Sequence, residues 1–379
     1  MKESEVLEKA FEKAKKIVEG KAKNTIPKAV TKKVDFMISK IGSNKSLVSA
    51  LVTSFLKKII DKKQDIRLHR KDFEGGYSAR SLDTNFTSPF FKRHFPKYAN
   101  KESAFLTLAT REKIKWTEKE GENLKIRNKE LKETFLNILD DIETGKQTAN
   151  RYLIAFFVAL IKLSQKDEQI FEIAKNQNIK KEALNINIIL EMLDKHFSNK
   201  LSSRLPVIAI YSIYEVLMPL LSRYKNKKLI DLAVHTSSDK HGYGDIEIYD
   251  SQNNPFEIVE IKHNIPISKD LIFDIAKKTE KTSIERYYIL TTYKTGFESA
   301  DDEKEINDFI LKIKIGRNID IIANGILTTI KYYLRFIDDY KLFLETYTKN
   351  LILDAKHSTE IKDYHIKSWT EILKEYDKE

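Results

Sequence analysis

Between Asp245 and Lys262 the chain alternates, turns and alternates again. Asp245 to Tyr249 reads polar-apolar-polar-apolar before its closing tyrosine, and Phe256 to Lys262 repeats the pattern. Asp250 to Pro255 lies between them and is built from turn-forming residues. Two alternating runs around a short polar loop form an antiparallel hairpin, which brings Asp245 near Glu260. Successive strand side chains point to opposite faces, so Glu260 and Lys262 share one face while Val259 and Ile261 turn to the core. Gly244 gives the turn freedom to deliver Asp245 to that same edge.

Two carboxylates and an ammonium then converge. Carboxylates and water are the ligands preferred by hard cations such as Mg²⁺, with Mn²⁺ as a substitute. A bound cation activates water and offsets charge on a phosphoryl oxygen, and Lys262 beside it would position that water. The same spacing also fits a plain hairpin with charged edges, since the chain is rich in Lys and Glu.

Charge bears on the partner. Lys and Arg number 67 against 56 Asp and Glu, a net charge of +11 that suits a polyanion. A codon bias toward Lys, Asn and Ile gives the same excess with no nucleic-acid role. The absence of cysteine excludes disulfides, thiolate catalysis and cysteine-bound zinc. The charged N-terminus has no apolar run like a signal peptide's, and no segment reaches membrane-spanning length. A soluble, cytoplasmic protein without membrane contact is expected.

Val6, Leu7, Ala10, Phe11, Ala14 and Ile17 fall at helical spacing before Gly20. Ser46–Ile60 reads as a second helix capped by Ser46, and Glu130–Thr144 and Ala149–Leu163 as two more. Residues 71–116 are breaker-rich and mix aromatic with basic residues. Ser164–Asn178 reads as a polar surface segment and a candidate boundary. Beyond it come a helix at Leu205–Leu221, a strand at Leu229–Val234, the hairpin, and a helix over Ser268–Thr279 capped by Ser268. A strand over Arg286–Thr292, a helix over Asp301–Lys312, a strand over Ile319–Ala323 and a long helix from Gly325 complete the pattern.

Three regions are expected: a mainly helical 1–165 with a DNA-contacting loop at 71–116, a core at 200–340, and a helical extension at 341–379. The fold class expected is α/β (α+β), a mixed central sheet with flanking helices.

Other residues stand out around this core. Glu215 lies on the helix before the hairpin, where a solvated helix face is one reading. His235 to Gly244 is polar and glycine-bearing; Ser238, Lys240 and His241 could touch a phosphate or groove, and His235 and His241 could carry protons or be plain surface histidines. His263 and Asn264 follow Lys262 at the site mouth, as DNA contacts or as a polar strand end. Arg80 is the first candidate base reader, with Ser78 beside it, and Lys92 and Arg93 are candidate phosphate contacts. The alternative for 71–116 is a long loop packed by its own aromatics.

Asp245, a hairpin's spacing, then Glu260-Ile261-Lys262 resembles the PD-(D/E)XK nuclease motif, with Gly244 where that superfamily often has proline. The blocks at 75–84, 203–217 and 235–266 are similar to type II restriction endonucleases of the SacI-like kind. The resemblance implies a PD-(D/E)XK core and Mg²⁺-dependent, site-specific hydrolysis of double-stranded DNA. Asp245 and Glu260 would hold the metal with the Ile261 carbonyl. Lys262 would assist an in-line attack, and Glu215 would act as the helix glutamate found in many members. It also implies a homodimer and a cognate DNA methyltransferase. A modification-dependent, repair or junction nuclease of the same fold, or a non-catalytic DNA-binding module, fits the same residues.

Overall fold

The structure, a computed structural model, describes residues 3–176, 184–232, 242–280, 282 and 284–377. The chain divides into two compact units, Met1–Gln169 and Ile170–Glu379. No helix among the described residues is long and apolar enough to cross a membrane.

The first unit is helical: α1 (Glu3–Val18), α2 (Lys28–Ser39), α3 (Ile41–Ile60), α4 (Ala79–Leu82), α5 (Ser88–His94), α6 (Glu118–Gly121), α7 (Lys129–Glu143) and most of α8 (Ala149–Lys175). The periodic residues of α1 pack as expected, with Val6, Leu7, Ala10 and Ala14 buried. Ser46 is not a cap. Buried Ile41 anchors an earlier turn, and α3 runs on across a kink at Asn44. The polar stretch after Leu163 is likewise helical to Lys175, because Ile170, Phe171 and Ala174 keep an apolar side at helical spacing.

The breaker-rich stretch is ordered around one buried carboxylate. Asp83 accepts hydrogen bonds from Ser49 (3.0 Å), Ser88 (3.2 Å), Ser103 (2.7 Å) and the Ala104 N–H (2.8 Å). Phe90 and Phe95 pack against Phe11 and Phe157 beside it. The aromatics Phe90, Phe91 and Phe95 of this stretch pack on one another, as one of its two readings has it, and short helical pieces stand in place of the expected long loop. Their polar groups are satisfied by a side chain where no regular ladder can form.

The second unit holds α9 (Ile186–Phe197), α10 (Arg204–Leu217), β1 (Lys228–Leu229), β2 (Ile246–Tyr249), β3 (Pro255–Lys262), α11 (Lys269–Lys278), β4 (Arg286–Thr291), α12 (Ala300–Arg317), β5 (Asp320–Gly325), α13 (Ile326–Leu334), α14 (Tyr340–His357) and α15 (Asp363–Asp377). Among the described residues the strands form one sheet, ordered β1-β2-β3-β4-β5. β1 to β3 are antiparallel, and β3, β4 and β5 are parallel. The class is mixed α and β, as the sequence pattern predicts.

β1 is shorter than expected, and Val234 lies outside the described residues. The helix after Gly325 ends at Leu334, short of the long helix expected. Ser268 does cap α11, its hydroxyl accepting from the Leu271 N–H.

Both sheet faces are covered, which explains why β3 reads as more than a simple alternation. Val259, Ile261, Ile246 and Ile248 pack with residues of α10, α13 and α14. Ile258, Tyr287, Ile289 and Ile321 pack with residues of α11 and α12. The helices after residue 340 therefore join the core of this unit: α14 packs on α10, and α15 on α9.

Candidate active site

Register sets the site. Ile246 pairs with Val259, and Asp245, one step outside β2, donates its N–H to the Val259 carbonyl at 2.9 Å. Asp245 thus stands opposite Glu260. Its Oδ2 accepts from the Ile261 N–H at 2.8 Å, between Glu260 and Lys262 in sequence. Lys262 Nζ lies 2.6 Å from Glu260 Oε1. The three side chains expected together are together.

Gly244 is fixed by close approach. A Cβ there would meet Ile258 Cγ2 at 2.5 Å and the Val259 carbonyl oxygen at 2.8 Å. Any side chain there would force Ile258 or the Val259 backbone to shift. Glu247 then ties the approach, its carboxylate accepting from the N–H groups of Tyr243 and Gly244 and from the Tyr249 hydroxyl. On β4, the Tyr287 hydroxyl donates to the Tyr243 carbonyl at 2.6 Å and lies against Glu260.

The electrostatics are those of two carboxylates sharing a half-buried place. Burial first, and the Glu260 charge second, push the Asp245 pKa up to about 6. The Ile261 N–H, Lys262 and Arg204 pull the other way. Arg204 is buried in the first turn of α10, with Nε and Nη2 donating to Asp354 Oδ2 at 2.9 and 2.7 Å. Like charges held this close favour either a shared proton or a cation between them. Asp245 Oδ1 accepts no hydrogen bond among the described residues, so the donor set fits a divalent cation. Among the described residues no group of three or more His, Asp or Glu is gathered for a metal.

Glu215 is placed elsewhere. Arg204 adjoins the site at one end of α10; Glu215 sits three turns further along. There its carboxylate accepts from Asn350, and it lines a cavity of about 310 Å³ with Tyr211, Asp231 and His357. The structure does not bring it to Asp245.

His263 bridges the Ser202 hydroxyl (3.0 Å) and the Thr292 hydroxyl (2.9 Å), and burial lowers its pKa. With Asn264, Thr292 and Lys294 it lines a cavity of about 570 Å³ beyond the carboxyl ends of β3, β4 and β5. Crevices at such strand ends are where open α/β sheets hold ligands.

In the first unit, Ser78 caps α4 by accepting from the Ser81 N–H, and Arg80 is exposed. Arg93 is ion-paired with Glu8, while Lys92 on the same helix is exposed. The Glu8 pair leaves Arg93 a poorer phosphate contact than the sequence suggested. His235, Ser238, Lys240 and His241 lie outside the described residues.

Sequence reasoning missed Glu247, Tyr287 and Arg204. Glu247 carried a signal, since it shares the parity of Asp245. No local pattern marks Tyr287 or Arg204.

No protein-family model matches the chain, and no curated protein matches it.

Proposed function

We propose that the second unit is a divalent-metal phosphodiesterase. On this reading the protein is a type II restriction endonuclease of PD-(D/E)XK type, hydrolysing double-stranded DNA at specific sites. A homodimer fits the two-fold symmetry of such sites, and a cognate methyltransferase would protect the host's own. The observation that carries the reading is Asp245 held opposite Glu260, its pKa raised by burial and by that neighbour, with Lys262 alongside.

Asp245 and Glu260 would hold Mg²⁺ or Mn²⁺, which when bound activates water and offsets phosphoryl charge. Lys262 supplies a fixed positive charge next to the two carboxylates, where it offsets negative charge developing on phosphorus-bound oxygen. Glu247 and Tyr287 act as positioning residues by holding the Tyr243–Gly244 approach. Asp245 must be ionised to bind a cation, so activity should rise with pH through about 6.

Plasmid and genomic DNA incubated with Mg²⁺ test the reading. Discrete fragments with one end sequence are expected, and Asp245→Asn, Glu260→Gln and Lys262→Ala should each cut at least about 10²-fold more slowly. Asp245→Asn should still bind the cut sequence in Ca²⁺. Wild type that cuts no DNA with Mg²⁺ or Mn²⁺, or an Asp245→Asn protein that cuts as fast as wild type, overturns it.

A further inference from the structure

A cavity of about 480 Å³ lies wholly within the first unit, and the candidate active site uses none of its residues. Lys71, Arg80 and Arg111 line it, together with Arg70 and Asp72. Asp72 is the one acidic side chain of the lining, and it is already matched: Arg70 donates to both its oxygens at 2.8 and 3.0 Å, and Lys113 lies 3.5 Å away. The bond from Arg70 holds its carboxyl down at about 2, so it stays ionised and paired. The side chains of Lys71, Arg80 and Arg111 are exposed and have no ion-pair or hydrogen-bond partner among the described residues, although the Arg111 carbonyl accepts from Arg70. Three free cations therefore face one concavity.

The cavity wall is tied together by backbone hydrogen bonds. The loop from Arg70 to Gly76 closes on itself through Phe73 N–H to the Arg70 carbonyl and Gly76 N–H to the Phe73 carbonyl. Tyr77 and Ala79 N–H groups then bond the carbonyls of Leu68 and His69. A Cβ on Gly76 would meet the Arg70 carbonyl oxygen at 1.9 Å, so this turn exists only with glycine. Beneath, His69 stacks on Trp116 at 3.9 Å. Burial lowers the His69 pKa to about 4, so the floor is uncharged at neutral pH.

We propose that the first unit carries a phosphoryl-binding pocket formed by Lys71, Arg80 and Arg111. Planar guanidinium forks match phosphate oxygens, and the one carboxylate of the lining, Asp72, is already paired. Arg80 then binds phosphate, not a base edge. The net charge of +11 favours a polyanion as the source, a nucleic-acid strand that offers either a terminal phosphate or an internal phosphodiester. This pocket stands independently of the metal site.

Calorimetric titration in EDTA at low salt tests the pocket, with three probes: inorganic phosphate, a 5′-phosphorylated oligonucleotide and the same oligonucleotide with a 5′-hydroxyl. The wild type should bind the phosphorylated strand saturably and lose affinity as salt rises. Arg80→Ala/Arg111→Ala should bind at least about tenfold more weakly with an unchanged melting temperature, and Arg80→Lys/Arg111→Lys should recover part of the loss. Preference for the 5′-phosphate assigns a terminal group; equal binding of both strands, lost in the double variant, assigns an internal phosphodiester. No saturable binding of any probe, or equal affinity in wild type and the Ala double variant, overturns the proposal. EDTA keeps this result separate from failure of the metal reading.

Discussion

β3 carries two glutamates, Glu257 and Glu260, and they live in opposite electrostatic worlds. Glu257 is fully buried on the α10 side. It accepts from the Tyr214 hydroxyl (2.8 Å), the Tyr224 hydroxyl (2.9 Å) and Arg223 (3.1 Å). Its charge is paired and its oxygens are occupied. Glu260 turns to the other face, shares one ammonium with solvent, and stands opposite a second carboxylate whose pKa it raises. A satisfied buried charge holds a strand in place. A pair of like charges only partly offset by Lys262 and the Ile261 N–H costs stability and leaves room for a cation.

If that contrast is right, Glu257→Ala should be the most damaging change to folding. It strips the acceptor from two buried hydroxyls and from a partly exposed Arg223, at a cost of about 2–4 kcal/mol read from urea unfolding. A loss below about 1 kcal/mol would remove the distinction. Next comes Gly244→Ala. Its Cβ has no space against Ile258 and Val259, so a cost of about 1–3 kcal/mol is expected, with metal affinity falling alongside.

Asp245→Asn should act with the opposite sign. The folded pKa, about 6, lies above the ordinary 3.8. Below about 3.8 the residue is protonated in both folded and unfolded chains and the substitution changes little. Above 6 the folded chain bears an ionised carboxylate it disfavours. In EDTA the Asn variant should therefore be more stable by about 1–3 kcal/mol at pH 8, the gain vanishing near pH 4. Equal stability at both pH values would contradict the raised pKa. The smallest effect belongs to Lys262→Ala. Lys262 lowers the Asp245 pKa, so its removal should move the midpoint of the pH dependence upward, measurable by NMR titration of the Asp245 carboxyl.

How much of this was legible follows sequence separation. Asp245 and Ile261 are 16 residues apart, and alternation plus turn chemistry sufficed to bring them together. The parity that sent Val259 and Ile261 to the core also sends Glu257 there, a readable signal. Its partners are 33 to 43 residues away, and nothing local names them. Arg204 and Asp354 are separated by 150 residues, beyond any pattern. Ser46 misled because cap preference is local, whereas the start of α3 is decided by the burial of Ile41. Glu215 had helix position as its only warrant. The axial length of α10 puts it in a different cavity.

On the reading proposed above, Asp245 and Glu260 share one cation. Isothermal titration of Mg²⁺ and Mn²⁺ into the wild type, Asp245→Asn and Glu260→Gln proteins tests it most directly, each at pH 7.5 and pH 5. Wild-type affinity should fall about tenfold on acidification, as Asp245 gains its proton, and both variants should lose the site at either pH. Binding that survives both substitutions, or that ignores pH in the wild type, would contradict it.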